Sequence, residues 1–103
     1  MKRFIKGQLK IESNDINVNN FEEVMELKNA GSWIDEMMHQ LNCDIAIFVG
    51  MNDNNEKYII CEYYIENRTI TECRSVLSQL KKYLKNFFDC KISLVMSFEG
   101  TVR

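Results

Sequence analysis

Few residues in this chain have the type and spacing to do chemistry. His39 is the only histidine among 103 residues and follows Glu36 at Glu-x-x-His spacing. That spacing puts both side chains on one side of a helix. Di-metal carboxylate sites use it on two helices with two histidines. One histidine leaves the set incomplete, so no metal and no cofactor are assigned, and the pair reads as a solvated helix face.

The cysteines at 43, 61, 73 and 90 contain no Cys-x-x-Cys pair. A zinc knuckle or dithiol redox motif is therefore disfavoured, and each thiol falls at or near an apolar position. They read as reduced, mostly buried small hydrophobes. Cys73 sits near the start of a helical run, where the dipole can lower a thiol pKa, yet it lies on that helix's apolar stripe. Cys43 and His39 could meet only across a helix end, with nothing to orient the imidazole. Asn67-Arg68-Thr69 is a formal glycosylation sequon. No phosphate-cradling glycine loop, nucleophile elbow or metalloprotease motif occurs. No catalytic residue is assigned, and the expectation is a non-enzymatic protein.

The elements that would position these residues follow from the hydrophobic period. It is two over Arg3 to Glu12 and about 3.6 from Phe21 to Leu41. It returns to two over Cys43 to Met51 and Lys57 to Glu66. It is 3.6 again from Ile70 to Phe88, and two from Lys91 to Glu99. The order β-α-β-β-α-β predicts an α+β, ferredoxin-like sandwich. Its four-stranded antiparallel sheet has the order 4-1-3-2, with two helices on one face. Residues 1–103 form a single domain, the size expected for one core.

Local signals punctuate this order. Asn19 or Asn20 is placed as the cap of the first helix, with Glu22 and Glu23 favoured in its first turn. Gly31 weakens that helix and Ser32 resembles a fresh N-cap. One kinked helix is favoured over two short ones. Asn52-Asp53-Asn54-Asn55 reads as a hairpin turn. Thr69 and Glu72 have capping-box spacing at the start of the second helix.

The stronger apolar set of each strand should face the helices. These sets are Ile5, Leu9 and Ile11; Ile45, Ile47 and Val49; Ile59, Cys61 and Ile65; and Ile92, Leu94, Met96 and Phe98. The other sheet face stays open, as antiparallel sheets allow. It would carry Phe4, Lys6, Phe48, Tyr58, Ile60, Tyr64 and Val95, an apolar patch of the kind that marks a contact site.

Net charge is −2, but its distribution is uneven. Residues 1–11 hold four basic and no acidic groups, and residues 67–91 hold six basic and two acidic. Residues 12–66 hold twelve acidic and two basic. Such a field steers a charged partner and favours head-to-tail self-association. Glu22, Glu23, Glu26, Asp35 and Glu36 form a candidate acidic contact.

These features point to a small protein-binding module acting through the open face, the acidic helix surface, or both. A protein partner is expected, with a homodimer through the sheet face as one form. The abundance of Asn, Ile and Lys suggests an AT-rich genome, and an inhibitor carried by a phage or mobile element fits the size and charge. Nucleic acid is the alternative, through an RNA-recognition-like sheet or a winged-helix arrangement. The acidic balance and the missing glycine-aromatic motif count against it. A further alternative is a small enzyme or ligand sensor with an unrecognised pocket. No apolar run reaches the roughly 20 residues of a membrane span, and the charged N-terminus lacks a signal-peptide core. A cytoplasmic location is the expectation.

Overall fold

The computed structural model describes residues 1–103. Four strands form, β1 (Arg3–Ser13), β2 (Asp44–Met51), β3 (Lys57–Asn67) and β4 (Cys90–Thr101). They make one antiparallel sheet in the order β2-β3-β1-β4. That is the expected order, 4-1-3-2, traced from the other edge. The helices require a correction. There are three, α1 (Phe21–Leu27), α2 (Ala30–Leu41) and α3 (Ile70–Phe88), so the protein is an α+β sheet with three helices and not the two-helix ferredoxin-like sandwich.

The extra helix arises because the expected first helix is broken rather than kinked. The break lies at Asn29, two residues before the glycine expected to cause it. Asn29 adopts the left-handed conformation, φ 54° and ψ 45°, which asparagine tolerates better than most residues. The Lys28 and Asn29 amides donate to the Val24 and Glu26 carbonyls and close α1. Gly31 then continues inside α2, with Ser32 a turn-forming helical residue instead of a cap. Leu27, the last residue of α1, is 78% exposed.

Other local signals hold in altered detail. Asn20 occupies the N-cap of α1, but its side chain makes no capping bond. Its Oδ1 accepts from the Asn17 amide at 2.7 Å, and Asn17 Oδ1 accepts from the Asn19 and Asn20 amides, so asparagines fasten the preceding loop. In the hairpin turn Asn52 Oδ1 accepts from the Asn54 and Glu56 amides, and Asn55 is left-handed. Thr69 Oγ1 accepts the Glu72 amide at 3.1 Å and opens α3.

One face of the sheet meets the helices. Ile5, Leu9, Ile11, Ile59, Cys61, Tyr63 and Ile65 pack there against Cys73, Leu80, Leu84 and Phe88 of α3 and Met37 and Leu41 of α2. Trp33 stacks on Phe87 at 4.3 Å and meets Phe88 edge-on, which ties α2 to α3. The molecule spans only 19 Å on its shortest axis. Sheet and helix layers lie about 10 Å apart, so this thickness admits one helix layer and leaves the second sheet face bare.

A β-bulge separates the two halves of β4. Gln8 pairs with Met96, while the next residue, Leu9, pairs with Leu94, so Val95 is an extra residue. Beyond a bulge the alternation of faces is reversed relative to simple counting. Ser97 and Glu99 therefore share the helical side with Gly7 and Ile5, whereas Met96 and Phe98 share the open side with Gln8 and Lys6. The expected inward placement of Met96 and Phe98 is overturned, since they are 44% and 55% exposed. Leu94 keeps the helical side, opposite Leu9, yet is 60% exposed. Ile92 alone of that set packs against the core.

Candidate protein-contact face

The open face is built in rows that cross the sheet. One row is Phe98, Lys6, Tyr64 and Asp44, and the next is Met96, Gln8, Glu62 and Ala46. A third is Ser93, Lys10, Ile60 and Phe48. Their order is dictated by ladder register, because cross-strand neighbours on one face lie about 5 Å apart.

The first row is aromatic. Phe4 stacks on Tyr64 with ring centroids 5.7 Å apart and planes 16° apart. Phe4 also lies over Gly100, where a Cβ would press into its ring. The Lys6 ammonium stands 6.0 Å from the Phe4 centroid and 5.9 Å from that of Phe98, within cation–π range. Tyr64 donates its hydroxyl to Glu66 at 2.7 Å. That bond, which the phenolate could not donate, raises the Tyr64 pKa above its usual value.

The third row is better sheltered. Ile60 is only 4% exposed although it lies on the open side. Its Cδ1 fills the space that a Cβ on Gly50 would need. Lys10 spans the neighbouring Tyr58 ring at 5.6 Å and pairs weakly with Glu12 at 3.6 Å. Between the aromatic rows runs a groove of about 420 Å³, lined by Gln8, Ala46, Glu62, Tyr64, Met96 and Phe98 among others. Among its lining residues, Gln8 Nε2 donates to Glu62 Oε2 at 3.0 Å.

The structure thus brings Phe4, Lys6, Phe48, Tyr58, Ile60 and Tyr64 onto one face as expected, but five of these six are sheltered by one another. Phe4, Phe48, Tyr58 and Tyr64 are half-buried and Ile60 is buried. The exposed apolar surface lies instead on β4, at Leu94, Val95, Met96 and Phe98. Sequence reasoning found Val95 and missed Met96 and Phe98, because strict alternation carries no mark of a bulge.

The acidic candidates do not join this face. Glu22, Glu23 and Glu26 lie on α1, and Asp35 and Glu36 on α2, in the layer across the sheet. All five are exposed and none forms an ion pair.

Neither do the thiols form a reactive centre. All four are free. Burial pushes Cys43 up to about 11 and Cys61 up to about 12. Burial also raises the pKa of Cys73, outweighing the opposing Asn67 backbone hydrogen bond and the Arg3 charge, and its thiol donates to the Arg3 and Ile65 carbonyls. His39 and Cys43 both line a polar hollow of about 520 Å³ at the end of α2, with no hydrogen bond between them. No three His, Cys, Asp or Glu side chains converge on a common point that could hold a metal ion. No helix is long and apolar enough to cross a membrane.

No family model matches the sequence, and no curated protein does. Among solved structures, a protein titled "De novo designed protein Foldit4" is similar over 100% of both chains, with a TM-score of 0.49 and 8% identity. A likeness that distant bears on neither fold family nor function.

Proposed function

We propose that this chain is a non-enzymatic protein-binding module whose contact surface is the open sheet face together with β4. The observation that carries this reading is the grouping of exposed apolar side chains. Of seven large hydrophobics left exposed in the whole chain, four lie on β4, and of these Met96 and Phe98 face the open side while Leu94 faces the helical side. Phe98 shares a cross-strand row with Tyr64, Met96 stands in the row beside it, and all three line one groove, so the patch is contiguous. Contiguous apolar surface on a small protein marks a contact site. Burying a Met or Phe fully stabilises an interface by about 1.5–3 kcal/mol each.

Such a module acts by covering a surface of its partner, which needs no catalytic group. An inhibitor carried by a phage or mobile element would work in this way. The acidic helical layer is a second surface, with exposed carboxylates free to meet a basic partner. It carries charge with a single large exposed hydrophobic, Leu27, and anchors dominate interface energetics.

The test is affinity capture from native extract with three baits: wild type, Met96→Ser/Phe98→Ser, and Glu22→Gln/Glu23→Gln/Glu26→Gln. A protein held by the wild type and the helix variant but lost by the sheet variant is the expected result. Equal capture by all three baits would overturn the sheet-face assignment.

A further inference from the structure

The open face is divided electrically, and the division runs along the seam between β3 and β1. On the β2/β3 side stand Asp44, Glu62 and Glu66; on the β1/β4 side stand Lys6, Lys10 and Lys91. Glu12 is the one acidic residue on the basic side, where it pairs with Lys10. Lys6, Lys91, Asp44, Glu62 and Glu66 have no ion-pair partner within the chain. Glu62 and Glu66 hold only the neutral Gln8 and Tyr64.

We infer that the face is covered by the same face of a second copy of this chain, related by a two-fold axis along the β3/β1 seam. This rests on the contact-face reading above and names its occupant. A rotation about that axis lays β1 and β4 of one protomer on β3 and β2 of its partner. The basic half then meets the acidic half twice, as an isologous contact requires. Lys6 and Lys10 come near the Glu62 and Glu66 positions across the interface, and Met96 comes over Ala46.

The size is adequate. Four strands spaced about 4.8 Å apart and about ten residues long present roughly 600 Å² per protomer. A standard stable interface uses about 800 Å² per partner, with a spread that reaches 600 Å². Sheet-on-sheet packing at about 10 Å also fits a face whose aromatic rows alternate with a groove.

Charge reversal with complementation tests this. Sedimentation equilibrium at 50 mM salt should give a dimer for the wild type. Lys6→Glu/Lys10→Glu alone, and Glu62→Lys/Glu66→Lys alone, should each weaken self-association at least tenfold. Mixing the two variants should restore a 1:1 dimer, because one face is then acidic apart from Lys91 and the other largely basic. Raising salt to 500 mM should weaken the wild-type dimer, since surface charges are screened over a few ångströms there. A wild type that stays monomeric at 1 mM, or variants that fail to associate when mixed, would overturn the inference. A monomer that still captures a Phe98-dependent partner would sink the second copy while leaving the binding module standing.

Discussion

The Arg74 guanidinium grips the Glu99 carboxylate with two nitrogens, its Nη2 at 2.9 and 3.1 Å from the two oxygens. Arg74 belongs to α3, so Glu99 must point to the helical side of the sheet. Its neighbour Phe98 consequently points away, towards Lys6. This pair fastens the end of β4 with the reversed facing that the bulge creates. Both side chains are substantially exposed, which limits the bond to about 0.5–1 kcal/mol. A double-mutant cycle of Arg74→Ala and Glu99→Ala in urea should return a coupling of that size. A coupling indistinguishable from zero would mean that the strand ladder alone holds the reversed facing.

Gly7 and Gly31 should respond to alanine in opposite directions. A Cβ at Gly7 would enter the space of the Met96 carbonyl and lie 2.5 Å from the Tyr63 hydroxyl. The backbone oxygen cannot swing aside, so Gly7→Ala should destabilise by about 3 kcal/mol or more. Nothing lies within 4 Å of a Cβ at Gly31, inside α2. Gly31→Ala should stabilise by about 0.5 kcal/mol through helix propensity and a less flexible unfolded chain. Urea midpoints of the two variants against wild type decide both.

Tyr63 is 2% exposed and its hydroxyl is buried without a hydrogen-bond partner. The ring is needed, since it covers Gly7 in the core, but the oxygen loses its hydration for nothing in return. Tyr63→Phe should leave the fold intact and raise stability by up to about 1 kcal/mol. Tyr63→Ala should cost about 3–5 kcal/mol through the cavity. A loss of stability in Tyr63→Phe would reveal a partner for the hydroxyl in solution.

Alkaline pH should unfold the protein through its thiols. A cysteine ordinarily ionises near 9, whereas burial holds Cys43 to about 11 and Cys61 to about 12. A raised folded pKa means that the folded state binds the proton more tightly. The contribution is therefore complete below pH 9 and is lost as pH rises from 9 through 11 to 12. Urea midpoints measured from pH 7 to 11 should be flat at first and then fall. Cys61→Ala should lower stability at pH 7 but make that fall shallower. An unchanged slope would mean that Cys61 does not carry the alkaline loss.

Much of the fold is legible in the residues themselves. The inward sets of β1 and β3 are clean because central strands have neighbours on both edges and one face fully buried. Ile5, Leu9, Ile11, Ile59, Cys61 and Ile65 are all under 5% exposed. The β2–β3 turn and the start of α3 are visible because asparagine and threonine side chains bond their own backbone. The break at Asn29 was hidden by a louder signal two residues later, Gly31, which the helix accommodates in solvent.

The candidate face was half legible. Phe4, Lys6 and Tyr64 follow from β1 and β3, whose pairing is regular. That they shelter each other depends on centroid distances and on Gly100 beneath Phe4, which only the assembled sheet supplies. Trp33 joined the core through Phe87, a contact between residues 54 positions apart in sequence that no local period encodes.

The amino-acid sequence by itself determined the order of the strands, the core face of the central strands and the uneven charge, because each follows from side chains acting locally, whereas the split of the first helical run into α1 and α2 did not. Where Met96 and Phe98 point was decided only by tertiary structure. An edge strand takes its facing from the partner it pairs with. One extra residue at Val95, held against Gln8 and Leu9, turned two residues of apparent core into exposed surface.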